Sequence, residues 1–381
     1  VRLLFASLAS HGHIYPLLPL AFAARDAGHD VVFATGGDFV LPLRKAGLEA
    51  VAAGPALRAS FGKLLEGNPP EAHTPEFIRG MGAQVFGEII PRQVYADLEP
   101  VLAANRPDLV VHESMNPGAA LAAGKPGIPA LCHGFGRETV DSIIAGMEAR
   151  FAAFAAELGV DLQEPFPFTF GNRHVDICPP SLQTKEFKAA VERIELRPVG
   201  WNEPGELPPG VAGHSRPLVY LTLGTAMGNA MVLRQAIEGL GKLPVDVLVA
   251  AGPSVELADL GDMPGNVRLE AWVPQTDLLP HVDLVVHHGG SGTTLGALAA
   301  GKPQLFLPQG ADQFSNADAV VAAGAGSRLL ADELTADAVT ELAARLLADE
   351  SAQSAARGFQ AEIAAMPSPQ AVVAQLPSLA G

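Results

Sequence analysis

Cysteine is scarce. The chain has two in 381 residues, Cys132 and Cys178, far apart and in no metal or redox spacing. That excludes a disulfide framework and a thiolate metal site, and reads as reduced, buried thiols in a cytoplasmic protein. Positive charge is also short, with 25 Lys and Arg against 41 Asp and Glu, a net charge of −16. Such a balance argues against a nucleic-acid or anionic-membrane partner. Charged residues of both signs make up only 17%, against 48% hydrophobic, so the chain can bury a large core. No apolar run is long enough to span a membrane, and Val1-Arg2 lead directly into a strand pattern with no signal-peptide character. No Asp-x-Asp triplet occurs, so no carboxylate pair suggests a Mg²⁺ site, and neither metal nor cofactor is expected.

What is present is an alternation of short apolar runs and Ala/Leu-rich helical segments, the pattern of an α/β fold with doubly wound parallel sheets. In the first half the runs at 3–8, 30–35, 48–52, 108–112, 129–132 and 175–178 read as strands. Residues 10–16 read as a loop, with Pro16 opening a helix over 17–27. Two stretches, 56–105 and 137–170, break the rhythm. The second carries Phe151 and Phe154 on one helical side and an aromatic loop at 166–170. In the second half, strands are predicted at 218–223, 245–250, 267–270, 284–286 and 304–307. Composition shifts to Pro, Gly and Glu before them. The division is therefore residues 1–200, a linker over 201–217, a second domain over 218–350, and C-terminal helices over 351–381 that pack back on the first domain. Two such domains face each other across a cleft at the carboxyl ends of their strands, where ligands bind.

The densest chemistry lies in His287-His288-Gly289-Gly290-Ser291-Gly292-Thr293-Thr294, read as strand, glycine-rich turn and helix start. Ser291 or Thr293 is positioned to cap that helix. Unpaired N–H groups and the positive end of the helix dipole make the turn a diphosphate cradle or a plain packing turn. His13, just past the first strand, either caps a helix or takes a proton near neutral pH. Glu113, after the strand at 108–112, lies on the same edge and could hold His13 in one tautomer. Trp272 is core filler or a stacking platform for a base. Thr225 could reach a phosphate. Asp312 and Gln313 suit sugar hydroxyls, and Asp312 alternatively caps the next helix.

Taken together, Trp272-x-Pro274-Gln275, His288-x-Gly290 with Gly292-Thr293-Thr294, and Asp312-Gln313 resemble the nucleotide-sugar signature of family 1 glycosyltransferases of the GT-B fold. Gly12-His13-x-x-Pro16 resembles the acceptor-side motif of that family, and the likeness is to bacterial enzymes that glycosylate antibiotics, the calicheamicin glycosyltransferases among them. The resemblance implies His13 as the catalytic base and Glu113 as its partner, where the family usually has Asp. It implies Trp272 and the Val273 backbone on the base, and Thr225, His288, Gly290, Ser291, Gly292 and Thr293 around the diphosphate, with Gln275 also on the nucleotide. Asp312 and Gln313 meet the sugar. UDP-dependent members commonly carry Glu at the position of Gly296, where it holds the ribose hydroxyls. Glycine there leaves no such partner unpaired and points to a dTDP-deoxysugar donor. The expected reaction is metal-independent sugar transfer, with inversion, to a hydroxyl of an apolar natural product. A UDP-sugar transferase, a nucleotide-sugar epimerase and a non-catalytic partner of a transferase are the alternatives. An oxidoreductase is disfavoured because the first strand runs into His11-Gly12-His13 and not into G-x-G-x-x-G.

Overall fold

Short aliphatic runs buried on both faces become parallel strands in the computed structural model, which describes residues 1–66, 68, 74–138, 145–160, 162, 169–225 and 228–380. Pro69-Pro70 and the aromatic stretch 166–168 lie outside the described residues. The chain divides into two compact units. The first comprises Val1–Cys178, Gln183–Leu196 and Pro367–Gly381, and the second comprises Pro179–Leu182 and Arg197–Met366.

The first unit holds β1 (Arg2–Ala6), β2 (Asp30–Thr35), β3 (Glu49–Ala52), β4 (Leu109–Glu113), β5 (Ala130–His133), β6 (His174–Asp176) and β7 (Arg193–Glu195). They form one sheet in the order β3-β2-β1-β4-β5-β6-β7. Every recorded pairing is parallel, with Phe5 opposite Phe33 on one side and Val111 on the other. Leu3, Leu4 and Phe5 are fully buried, each stabilising the fold by about 1.5–3 kcal/mol relative to exposure. Residues 10–16 are not a loop. His11–Ile14 is a helical turn, Tyr15–Leu17 a tighter one, and Leu18–Asp26 continues the helix. The Ser10 carbonyl receives the N–H groups of His13 and Ile14. Pro16 lies at the start of the tighter turn, where its missing N–H costs the segment one helical hydrogen bond. Phe151 and Phe154 are buried with Leu121 and Ala155, so they are core side chains. The short C-terminal helix Pro369–Val373 packs on Leu18–Asp26 within the same unit.

The second unit holds β8 (Leu218–Thr222), β9 (Asp246–Ala250), β10 (Val267–Glu270), β11 (Leu284–His287), β12 (Gln304–Phe306) and β13 (Gly326–Arg328). Their order is β10-β9-β8-β11-β12-β13. One face packs Val219, Leu221, Leu233, Ile237, Val247 and Val286 together. The other packs Leu218, Tyr220, Leu248, Leu278, Leu279 and Val285. Helix Glu350–Ala365 belongs to this unit. So does the proline-rich stretch before β8, where Asn202 Oδ1 receives the Thr276 N–H at 2.8 Å.

Candidate active site

In each sheet the strand order reverses once, between β1 and β4 in the first unit and between β8 and β11 in the second. Helices leave in opposite directions at such a point, and the crevice past the carboxyl ends of the two strands is where doubly wound sheets bind ligands. In the first unit, His13 lies on the helical turn after β1, and Glu113 is the last residue of β4. Glu113 Oε1 is 3.2 Å from His13 Nδ1; the carboxylate is fully buried and the imidazole 17% exposed. The same oxygen receives the Met115 N–H at 2.7 Å, which fixes the carboxylate from its own chain. The longer Glu side chain therefore reaches the histidine. Phe135 places its ring centroid 5.0 Å from that of His13. Further into this sheet, His112 and His133 are fully buried, and burial pushes each from 6.5 down to about 4.

In the second unit, neighbouring histidines have different surroundings, His287 ending β11 and His288 following it. His287 is a core residue. Its Nδ1 receives the Gly289 N–H at 3.1 Å, so the proton sits on Nε2, which donates to Gln304 Oε1 at 2.7 Å. Burial, then the neighbouring His288, pushes its pKa down to about 3. His288 sits between two glycines. A Cβ on Gly224 would lie 2.6 Å from the ring, and one on Gly290 would lie 2.5 Å from Nε2. Gly224 also has φ +74°, a conformation that suits glycine. Burial pushes His288 down to about 4, opposed by Asp312 and by the Thr222 carbonyl. The imidazole is therefore neutral at pH 7. Thr225 follows Gly224 and is exposed.

The helix after β11 is Ser291–Ala299, capped by Gly290 with no side-chain bond. The expected caps are engaged elsewhere. Thr293 Oγ1 donates to Gln275 Oε1 at 3.2 Å, and Ser291 Oγ donates to Asp312 Oδ2 at 2.7 Å. Gly292 is exposed on the first turn. Asp312 precedes helix Gln313–Ala322 but makes no side-chain cap bond. Gln313 is 3% exposed; its Oε1 receives the N–H groups of Gln309 and Gly310, so it shapes the loop before the helix. Trp272 is 50% exposed, whereas Val273 is buried. Gly296 faces Leu279, whose Cδ1 would be 2.9 Å from a Cβ there.

Comparison with known proteins places this geometry. Residues 22–224 match the family model described as erythromycin biosynthesis protein CIII-like, N-terminal domain, and residues 234–379 match its C-terminal domain. The chain belongs to this glycosyltransferase family. It is 36% identical over 341 residues to the elloramycin glycosyltransferase ElmGT of Streptomyces olivaceus, covering 86% of this chain and 85% of that protein. The glycosyltransferase SnogD from Streptomyces nogalater superposes with a TM-score of 0.82 at 30% identity over the full length of both chains. The glycosyltransferase VinC in complex with dTDP gives 0.80 at 27% identity, over 100% of this chain and 99% of that one. The protein is an enzyme with the GT-B fold, and no helix among its described residues is long and apolar enough to cross a membrane.

Four residues of this glycosyltransferase carry no motif signal yet touch the candidate site. Tyr220 donates its hydroxyl to Gln275 Oε1 at 3.3 Å. Gly205 lies against the indole of Trp272, where a Cβ would come within 2.7 Å of Cζ3. Asn202 ties the same segment to the turn after Trp272. Asn316 donates to Gly289 O, to Ser291 Oγ and to Asp312 Oδ2. Only the position of Asn316 one helical turn after Asp312 could have pointed to it from sequence.

Proposed function

We propose that this enzyme transfers a sugar, with inversion, from a dTDP-deoxysugar to a hydroxyl of an apolar natural-product acceptor. The observation that carries the reading is His288 packed between Gly224 and Gly290 at the second sheet's reversal point, beside a helix start with no side-chain cap. A neutral imidazole N–H, the backbone of Gly290, Ser291, Gly292 and Thr293, and Thr225 receive the two phosphates. Their charge grows as the sugar leaves, and fixed donors aimed at growing charge lower the barrier. Trp272 stacks on the base, with the Val273 backbone and Gln275 on the nucleotide. Asp312 receives the sugar hydroxyls, and Gln313 holds the loop beside it through the N–H groups of Gln309 and Gly310. His13 removes the acceptor proton while Glu113 stabilises the imidazolium that forms. The incoming oxygen bonds to the anomeric carbon as the bond to the diphosphate breaks, which inverts that carbon. Gly296 supports thymidine over uridine, and VinC, a relative at 27% identity, has a complex with dTDP.

Calorimetric titration of the protein with dTDP and with UDP tests the donor half. Tight dTDP and weak UDP binding are expected. Preference for UDP would keep the transferase and remove the thymidine argument; binding of neither would overturn the donor site. For the acceptor half, His13→Ala should lose about 10²–10⁴-fold in rate, and a loss under about tenfold would remove His13 from the role of base.

A further inference from the structure

We propose that Asn316 and Ser291 act as positioning residues that clamp one oxygen of Asp312 and so set the enzyme's grip on the donor sugar. This rests on the donor-site reading above. Asp312 Oδ2 receives two hydrogen bonds, from Ser291 Oγ at 2.7 Å and from Asn316 Nδ2 at 2.9 Å. Asp312 Oδ1 has no hydrogen-bond partner among the described residues, and the side chain is partly exposed. A carboxylate tied by one oxygen presents the other in a fixed direction. A rotating carboxylate would first have to lose that freedom to bind a hydroxyl.

The clamp also reaches the glycine-rich turn. Asn316, 3% exposed, spans from Asp312 to Gly289 O at 2.9 Å and to Ser291 Oγ at 3.1 Å. Ser291 is itself the first residue of the helix that carries the diphosphate contacts. One buried amide thus connects the segment that meets the phosphates to the carboxylate that meets the sugar. Such a network is worth more than its pairs taken singly, so its members should be non-additive when removed. It assigns the Ser291 hydroxyl to Asp312 and leaves its backbone N–H for the phosphate.

The test is calorimetric titration of the full chain with two probes, dTDP and dTDP-glucose. The proteins are wild type, Ser291→Ala, Asn316→Ala, the double variant and Ser291→Thr. Each single variant should lower the ratio of dTDP-glucose to dTDP affinity about tenfold or more. The double variant should be no weaker than the weaker single one, and Ser291→Thr, which keeps the hydroxyl, should restore binding. An unchanged ratio of dTDP-glucose to dTDP affinity in Ser291→Ala would overturn the clamp. So would equal weakening of both probes, the mark of a merely structural role. Ser291→Ala decides the matter alone if Asn316→Ala does not fold. Wild type that binds neither probe would instead overturn the donor-site reading.

Discussion

Glu113→Gln isolates one charge. The substitution keeps side-chain length and keeps an oxygen for the Met115 N–H, so the end of β4 retains its local bond. It removes a negative charge whose oxygen lies 3.2 Å from His13 Nδ1. With charge centres about 4 Å apart and an effective dielectric constant of about 20, a full imidazolium loses about 4 kcal/mol of stabilisation. A transition state in which the proton is about half transferred loses about 2 kcal/mol, or about thirtyfold in kcat. The assay is steady-state transfer at saturating donor, with dTDP affinity measured on the same sample as a control. Affinity should hold, because Glu113 belongs to the first unit and the proposed nucleotide contacts to the second. A folded Glu113→Gln enzyme that keeps kcat within threefold of wild type would refute the reasoning.

Two further predictions concern the histidines. His112, His133 and His287 are fully buried and held neutral, with pKa values of about 4, 4 and 3 in the folded chain against 6.5 unfolded. The unfolded chain therefore takes up protons first as pH falls: stability is full above about pH 6.5 and declines toward pH 4, with a loss on the order of 1 kcal/mol per histidine at pH 5.5. Urea melts at pH 7.5 and 5.5 check this, and equal midpoints would refute it. Gly290→Ala places a methyl 2.5 Å from His288 Nε2 while Gly224 closes the opposite side; losing the imidazole contact should weaken dTDP binding about tenfold by titration, and unchanged affinity would show that His288 does not meet the nucleotide.

The central strands were legible because they are apolar on both faces. β2 falls on the predicted residues, and β1, β4, β8 and β11 within one or two of them at each end; the edge strand β10 also falls on its predicted residues, where Val267 and Leu269 alternate with Arg268 and Glu270. β7 and β13 were missed for the complementary reason. They are three-residue strands, Arg193–Glu195 at one sheet's edge and Gly326–Arg328 at the other's, half-buried, and show no apolar run. The turn at His11–Ile14 was missed because Gly12 and two histidines are weak helix formers; it forms because Ser10 supplies a carbonyl and the segment feeds directly into Leu18–Asp26. The motif residues of the site were legible as residue types. Their partners were not. That Ser291 and Thr293 bond to Asp312 and Gln275 is fixed by tertiary placement, and no local pattern separates a capping hydroxyl from one spent across the fold.

The two sheets solve the same topological problem with a histidine past the first strand in one and past the fourth in the other, and the surroundings divide their work. A histidine serves as a general base when its proton affinity lies near the working pH, since a much weaker base abstracts little in the transition state. His288 is buried, with a pKa of about 4, so a proton placed on it would be held about three units too weakly at pH 7. As a neutral donor it still suits oxygens that gain negative charge. His13 is partly open to solvent and has a buried carboxylate at 3.2 Å, placed to meet the imidazolium that proton abstraction would form. This contrast supports the proposed division, with proton abstraction assigned to His13 and leaving-group stabilisation to His288. Opening His288 to solvent should impair leaving-group stabilisation, and removing Glu113 should impair proton abstraction, even though both imidazoles remain.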